Sequence, residues 1–497
     1  MEGPWLQLIF VVMSKANTPI YESVIGLEVH VQMNTISKAY SSDGYTYGSA
    51  PNTQVSPITL GHPGTLPKAN IQVVKNAIKL GIACDCNIRE FNSYARKNYF
   101  YPDLPKGYQI TQDETPICFG GGVWITFKDE SKKKIGLTRI HMEEDTGKSI
   151  HDLDPFNTLI DLNRAGVPLL EIVSEPDFRS GEEAYLYLQE VRKLVRYLNI
   201  SDGNMEEGSL RCDVNISIRP KGRKKFGTKV EVKNLNSFRH VQRAIDFEFE
   251  RQSNVLNSGN TVFQETRTFD ASKGTTMLLR TKENANDYRY FIEPDLAPVR
   301  VTESFKKEIT ESMPPLPQAL VKKYTDILGL SKYDAELITE DKETALYFEK
   351  LLQTGCSAKA AANWLMGPVQ GYLNENAKNW NDWSMPANKL GELISIVETN
   401  LVSFSAASQQ IFPILIKNPK KFPKTIAEDL KLIQQSDADA LMIPIQEALD
   451  KYPEKVEEYR AGKKGLIGLF MGEVMKITKG SADPGITNKL LRKILDS

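Results

Sequence analysis

The chain has 497 residues, 41% of them hydrophobic and 25% charged, which is ordinary for a globular protein with room for several domains. Its formal net charge of −1 excludes a globally basic nucleic-acid binder, so any RNA contact must come from a local patch. Five scattered cysteines, an odd number, indicate reduced thiols and a cytoplasmic protein.

The first segment is apolar from Leu6 to Met13, but no basic region precedes it and it is too short to span a membrane. We expect residues 1–18 to be an extension that is disordered or not native, with Met13 as a candidate start. No other stretch approaches transmembrane length, so the sequence predicts a soluble protein without membrane contact.

Three parts follow the extension and predict an α+β protein. Residues 19–305 are rich in alternating segments and contain all the histidines, 306–420 turn helical, as from Tyr324 to Leu337, and 421–497 form a small helical tail. Within the first part, Ser180 and Glu183 have capping-box spacing and precede apolar residues at helical intervals, which predicts a helix.

Three predicted strands have one apolar and one charged face, because side chains alternate across a strand. They lie at 24–32, 210–219 and 229–233. Their charged faces contain Glu28 and His30 on the first, Arg211, Asp213 and Asn215 on the second, and Lys229, Glu231 and Lys233 on the third.

These faces have two interpretations. Each strand taken singly is typical of a half-solvated antiparallel sheet. Taken together, carboxylates with a histidine and interleaved basic residues favour a Mg²⁺–ATP phosphoryl-transfer site, in which oxygen ligands hold the cation and Arg or Lys neutralises phosphoryl charge.

Two acidic clusters extend the set, and a solvated turn is the alternative for each. Glu206 and Glu207 lead into the second strand, whereas His141, Glu143, Glu144 and Asp145 precede Gly147-Lys148-Ser149. The latter tripeptide is not a P-loop, because Met142 stands where its first glycine belongs.

Several longer strings resemble the GatB family, the B subunit of the aspartyl/glutamyl-tRNA amidotransferases, over roughly residues 20 to 497. They are Val24 to Val31, Arg96-Lys97-Asn98-Tyr99-Phe100-Tyr101-Pro102-Asp103, His141 to Ser149, Asn163 to Gly166, Leu170 to Asp177, Met205 to Asn215, Lys229 to Ser237, and Asp287-Tyr288-Arg289-Tyr290-Phe291.

The resemblance implies a glutamine-synthetase-like antiparallel sheet cradle, then a helical domain and a small tail domain. It implies that ATP phosphorylates the side-chain carboxylate of Glu-tRNA(Gln) or Asp-tRNA(Asn), and that ammonia then displaces phosphate. The implied partners are an amidase-type glutaminase subunit and a small third subunit, which complete a heterotrimer, and mischarged tRNA, with no DNA.

The resemblance also implies which residues surround the reaction pocket and hold Mg²⁺. They are Glu28, His30, Glu144, Glu171, Asp213 and Glu231. Strand alternation instead pairs Glu143 with His141, so Glu143 is a further metal candidate, and Glu144 needs a bulge or a strand end to join the set. On charge grounds we expect Arg211, Lys233 and Arg289 to contact phosphate.

One departure from the family concerns zinc. Many members carry four cysteines for a structural zinc, whereas the corresponding residues here are Ser41, Asp43, Ser56 and Thr59. Hydroxyls and one carboxylate do not replace four thiolates, so we expect no zinc and a loop held by packing.

The tail carries local positive charge. From Arg460 onward, eight basic residues stand against three acids: Arg460, Lys463, Lys464, Lys476, Lys479, Lys489, Arg492 and Lys493 against Glu473, Asp483 and Asp496. A solvated basic helix is the simple interpretation, while the resemblance implies contact with tRNA phosphates and RNA shape.

Two other functions fit parts of the sequence. One is a stand-alone glutamine-synthetase-like ligase acting on a small molecule, which the basic tail and helical middle disfavour. The other is a non-catalytic RNA-binding or assembly protein, which the dense set of carboxylates disfavours.

Overall fold

The computed structural model describes residues 20–281, 288–434, 438–478, 480 and 482–496. The expected extension at 1–18, Asp287 and Lys479 lie outside the described residues. The chain divides into two compact units, the first ending at Leu316 and the second beginning at Pro317. The predicted boundaries near 305 and 420 stay predictions, as does the glutamine-synthetase-like cradle.

The first unit contains all described strands together with four of the described helices, which confirms the predicted α+β class. In chain order they are β1 Tyr21–Gln32, β2 Asn87–Ile88, β3 Phe91–Asn92, β4 Ala95–Asn98, β5 Tyr108–Thr111, β6 Cys118–Phe119, β7 Gly122–Thr126, β8 Lys132–Glu144, β9 Lys148–Ile150, β10 Leu159–Asp161, β11 Pro168–Ser174, β12 Leu210–Pro220, β13 Val230–Lys233, β14 Glu265–Asp270, β15 Thr275–Thr281, β16 Phe291–Ile292 and β17 Val299–Arg300.

The α-helices continue through both units. They are α1 Ile71–Ala83, α2 Gly181–Tyr197, α3 Phe238–Asn257, α4 Glu303–Glu311, α5 Pro317–Asp326, α6 Lys332–Glu340, α7 Lys342–Leu352, α8 Ala358–Trp364, α9 Gln370–Glu375, α10 Ala387–Glu398, α11 Phe404–Ala406, α12 Phe412–Lys417, α13 Pro423–Asp429, α14 Ala438–Asp450, α15 Pro453–Arg460, α16 Ile467–Ile477 and α17 Pro484–Leu495. Among the described helices, none is long and apolar enough to cross a membrane.

A ten-stranded sheet organises the first unit, in the order β15-β14-β13-β12-β1-β11-β8-β6-β2, with β7 paired to β8. The long strand β1 lies at its centre and pairs antiparallel with both β12 and β11. The sheet is mixed rather than purely antiparallel, which corrects the expectation, because β13 and β14 run parallel. Helix α3 lies between these two strands in sequence and makes the crossover that parallel pairing requires.

One face of the sheet is buried by helices α1, α2 and α3. Ile25, Leu27 and Val29 of β1 share a core with Leu188 of α2 and Ile245 of α3. Burial of one such side chain contributes about 1.5–3 kcal/mol. Because neighbours along a strand point to opposite faces, this packing leaves the charged residues of the same strands on the other face.

The predicted helix after Ser180 is confirmed as α2. The Ser180 hydroxyl caps it by accepting a hydrogen bond from the Glu183 backbone amide at 3.2 Å. The Glu183 carboxylate in turn accepts a hydrogen bond from the Arg179 amide at 2.7 Å. These contacts satisfy amide groups that a helix N-terminus leaves without intrahelical partners.

In the second unit, the helical pattern from Tyr324 to Leu337 is two helices rather than one. Helix α5 ends at Asp326 and α6 begins at Lys332, with Gly329 between them at a φ of 69°, a backbone conformation that favours glycine. The tail helices α14 to α17 have their own core, which includes Leu441, Phe470 and Leu491.

Candidate active site

The charged face of the central strands carries one continuous row of side chains. Strand register sets Arg211 of β12 opposite His30 of β1, His30 opposite Glu171 of β11, and Glu171 opposite His141 of β8. Side chains at paired positions stand on the same face of a sheet. The row brings together three of the residues predicted for the site.

The first carboxylate cluster consists of His30, Glu143 and Glu171, whose donor atoms all lie within 4.8 Å of one another. His30 Nε2 is 3.6 Å from Glu171 Oε2, and His141 Nε2 is 3.3 Å from the same oxygen. Lys97 of β4 approaches from the side, with its Nζ 3.9 Å from Glu143 Oε1. Two imidazoles and one ammonium thus surround two buried carboxylates.

Burial and neighbouring charges shift the pKa values of the groups in this cluster in different directions. Burial raises the pKa of Glu143, and the neighbouring charge of Glu171 adds to the increase. Burial alone would raise the pKa of Glu171 too, but His141 and His30 hold it well below its usual range. Burial opposes a charge on His30, yet its hydrogen bond and ion pair with Glu171 raise its pKa to about 9. Divergent carboxylates of this kind are typical of catalytic sites.

The second carboxylate cluster consists of Glu28, Asp213 and Glu231, again with donor atoms within 4.8 Å of one another. Lys233 of β13 binds it, forming an ion pair with Asp213 and one of 3.0 Å with Glu231. Although burial opposes the charge on Lys233, these two carboxylates raise its pKa. Strands β1, β12 and β13 each supply one acid, so the cluster forms only when the sheet has folded.

Side chains that are not members of the second cluster orient two of its carboxylates by hydrogen bonds. Asn215 Nδ2 donates to Glu28 Oε1 at 2.8 Å. Thr266 Oγ1, on β14, donates to Glu231 Oε2 at 2.8 Å. Oriented carboxylates of this kind are pre-organised to receive a cation, because the side chains need not reorder on binding.

Both clusters fit a divalent metal ion with oxygen ligands. They offer five carboxylates and one imidazole, and hard cations such as Mg²⁺ prefer oxygen donors. Glu143 Oε2 is buried without a hydrogen-bond partner, which is costly unless a further ligand satisfies it. Buried carboxylates gathered on one face also repel each other, and a cation between them removes that cost.

Glu144 lies apart from both clusters, which corrects its expected placement. The β8–β11 register runs without a shift from Glu144 to Ile140, so no bulge lies there, and Glu144 still pairs with Pro168 although it ends β8. The Glu144 carboxylate therefore points to the opposite face, where it pairs with Lys106 and accepts the Ile110 amide at 2.9 Å. Glu143, which strand alternation pairs with His141, is the acid that lies in the first cluster.

The three residues predicted to contact phosphate lie in different surroundings. Lys233 binds the second cluster, and Arg211 Nη2 pairs with the Asp145 carboxylate at 2.8 Å at the end of the row. Arg289 is exposed, and its carbonyl oxygen accepts a hydrogen bond from Asn98 at 2.8 Å. Glu206 and Glu207 form an exposed turn, the simpler of the two interpretations.

The four residues at the expected zinc positions form a hydrogen-bonded cluster, here named the Asp43 network. Asp43 Oδ2 accepts the Ser56 amide at 2.9 Å and the Thr59 hydroxyl, and Thr59 Oγ1 lies 3.2 Å from Ser41 Oγ. Polar contacts thus connect the two sides of this loop, in addition to the packing expected to hold it.

Lys97 is a site residue to which sequence reasoning gave no role. It lies on the short strand β4, whose four residues offer little alternation to interpret, and its neighbour Glu143 is far away in sequence. The only available signal was its place in the family string Arg96 to Asp103, which quotes a residue without stating what it does.

Comparisons with known proteins assign most of the chain to one family. A family model described as the GatB/GatE catalytic domain matches residues 23–307, and one described as the GatB domain matches residues 346–495. Proteins named as the B subunit of the aspartyl/glutamyl-tRNA(Asn/Gln) amidotransferase are similar over nearly their full length. Identity is 47% over 493 residues in Gloeothece citriformis, covering 97% of this chain and 99% of that protein. It is 46% over 476 residues in Persephonella marina, covering 96% and 99%, and 48% over 478 residues in Alkalilimnicola ehrlichii, covering 96% and 100%.

Proposed function

Because this chain belongs to the GatB family of tRNA-dependent amidotransferases, we propose that it converts Glu or Asp esterified to tRNA into Gln or Asn. The reaction consumes ATP and takes its ammonia from glutamine hydrolysed in a partner protein. Its substrates are mischarged Glu-tRNA(Gln), Asp-tRNA(Asn) or both. The alternative of a stand-alone small-molecule ligase has no support among the relatives.

The observation that carries this proposal is the pair of carboxylate clusters on one sheet face. Glu28, Asp213 and Glu231 would hold one Mg²⁺, while His30, Glu143 and Glu171 would hold a second. When bound, such ions stabilise the negative charge that builds up on a transferred phosphoryl group. ATP and Mg²⁺ are thus the cofactors that the donor chemistry suits, on a sheet that we propose to be the glutamine-synthetase-like cradle.

The charged side chains around the clusters suit the two chemical steps. In the first step, a substrate carboxylate oxygen attacks the γ-phosphorus, the bond to the ADP oxygen breaks, and Lys233 stabilises phosphate charge. In the second, ammonia bonds to the acyl carbon, phosphate leaves, and a carboxylate accepts the released proton.

The second unit and the partners complete the proposal. We assign glutamine hydrolysis to an amidase-type glutaminase subunit, which forms a heterotrimer with this chain and a small third subunit. We assign contact with tRNA phosphates to the basic tail, where Lys476 of α16 and Lys489 of α17 are exposed. The binding free energy of such contacts comes from the release of counterions, so the affinity decreases as the salt concentration rises.

The test is transamidation of both mischarged tRNAs by the assembled complex, with ATP and glutamine. Glu28→Ala and His30→Ala are each expected to lower kcat/KM at least about 100-fold while tRNA binding stays intact, since both remove a group from the phosphoryl-transfer site. Glu207→Ala, in an exposed turn near β12, is the matched control and should keep full activity.

Two results would contradict the proposal at different levels. If the wild-type complex forms no amide on either tRNA, the function itself is wrong. If Glu28→Ala and His30→Ala both keep full activity, the function stands but these clusters are not its site.

A further inference from the structure

Two aromatic-rich segments that are distant in sequence meet beside the first carboxylate cluster. Strand β4 pairs with β16, setting Arg96 opposite Phe291. Next to this pair, the Asn98 side-chain amide donates to the carbonyl oxygens of Tyr288 at 3.1 Å and Arg289 at 2.8 Å. Arg289 has a φ of 45°, a strained value for a non-glycine residue that the surrounding contacts must maintain.

The two segments together form a series of tyrosine rings, here named the tyrosine series. The rings of Tyr101 and Tyr99 lie 5.9 Å apart, Tyr99 and Tyr288 6.1 Å, and Tyr288 and Tyr290 5.9 Å, all edge to face. Its two ends reach solvent, since Tyr101 is 57% and Tyr290 40% exposed. A contiguous group of exposed aromatic rings, unlike a single exposed ring, often marks a binding surface.

The tyrosine series adjoins the reacting groups through a single ammonium. Lys97 Nζ lies 5.1 Å from the centre of the Tyr288 ring and 3.9 Å from Glu143 Oε1. Tyr288, inside the series, is therefore the ring that adjoins the first cluster, and its neighbour Tyr290 reaches solvent.

We propose that the tyrosine series binds the unpaired 3′ end of the esterified RNA, with the base of the terminal nucleoside stacked on Tyr290. The inference rests on the proposed function, because only an ester of RNA ties the reacting carboxylate to a nucleoside. One amino-acid side chain and one ribose separate that carboxylate from the base, a reach of roughly 10 Å at bond lengths of about 1.5 Å. The Tyr288 ring lies within this reach of Glu143, since Lys97 Nζ is 3.9 Å from Glu143 Oε1 and 5.1 Å from the ring centre. Tyr290 is the exposed ring beside Tyr288, with the two ring centres 5.9 Å apart.

A run of rings suits RNA better than it suits the adenine of ATP. A mononucleotide occupies one stacking position, whereas Tyr290, Tyr101 and the 78% exposed Phe100 provide several exposed rings. Proteins that bind single strands stack successive bases on aromatic side chains in this way, and each base contributes to affinity independently of sequence. Lys97 also neutralises charge close to the path of the strand.

The test compares Tyr290→Leu with the wild-type chain in the assembled complex. Loss of one stacked base should raise the KM for mischarged tRNA about tenfold, with kcat and the KM for ATP unchanged. Tyr290→Phe, which keeps the ring, should return the RNA KM to near the wild-type value. Trp124→Leu removes an aromatic of similar exposure, 42%, from β7 and is the matched control.

Thermal unfolding of each variant shows whether a loss of activity reflects a loss of fold. An unchanged RNA KM in a folded Tyr290→Leu variant would overturn the inference and leave the proposed function standing. A rise in the KM for ATP instead would also overturn it, because the ring would then hold the adenine of ATP. Inactivity of the wild-type complex would count against the proposed function and the inference together.

Discussion

Replacement of Asp43 by alanine tests whether the Asp43 network replaces a metal in holding its loop. Asp43 Oδ2 accepts the Ser56 amide at 2.9 Å and the Thr59 hydroxyl, and Thr59 is only 6% exposed. A hydrogen bond to a charged group contributes about 1.5–3 kcal/mol, toward the lower end where water screens it. Asp43 is half-buried, so we expect Asp43→Ala to destabilise the loop by about 3 kcal/mol.

The assay is native-state hydrogen exchange at the Ser56 amide, which reports local opening of the loop rather than global unfolding. A loss of about 3 kcal/mol corresponds to exchange faster by roughly 100-fold. Asp129→Ala is the matched control: its carboxylate also accepts a serine amide and hydroxyl, from Ser131 at 3.0 and 2.6 Å, but in an exposed turn. The control should change stability by less than about 0.5 kcal/mol. Unchanged exchange at Ser56 in Asp43→Ala would refute the reasoning.

Three further predictions follow from buried groups. Replacing all four members of the Asp43 network with cysteine should create a site that binds one zinc per chain, measured by metal analysis, since the four side chains already converge. Burial raises the pKa of Cys84 and Cys118 well above the usual range, so alkylation at pH 8 should label neither thiol in the native protein and both after unfolding, by mass spectrometry. Burial lowers the pKa of Lys38 to about 8, so the unfolded chain keeps this proton to higher pH and the folded chain gains stability above about pH 8. Urea titrations should show this gain in the wild type relative to Lys38→Met, and parallel curves for the two would contradict it.

The sequence predicted the polar faces of the central strands well, for a physical reason. Alternation is a local property, so the faces of β1 and β12 follow from their own residues once one face is apolar. Buried Leu27 and Val29 assign the opposite face to Glu28 and His30 without any knowledge of the partner strands.

What the sequence could not predict is which faces meet. The pairing of β1 with both β11 and β12 depends on contacts between residues more than a hundred positions apart, and that of β8 with β11 on contacts across a long loop. The same limit explains the placement of Glu144: the family resemblance indicated Glu144, while only the register of β8 decides whether Glu143 or Glu144 faces the clusters. Lys97 was missed because its partner comes from β8 rather than from its own strand.

The charges around the two clusters indicate how they divide the reaction. The second cluster sets three carboxylates against Lys233, whereas the first sets two carboxylates against Lys97 and His30, with His141 adjoining. An anionic substrate carboxylate is repelled less by the first cluster, while the excess negative charge of the second favours the cations that accompany a triphosphate. The tyrosine series adjoins the first cluster too, which is where an RNA-linked carboxylate would have to enter. On this division Glu28→Ala should raise the KM for ATP, whereas His30→Ala should lower kcat and leave the KM for ATP near the wild-type value. Equal effects of the two variants on the KM for ATP would show that the clusters act as one site.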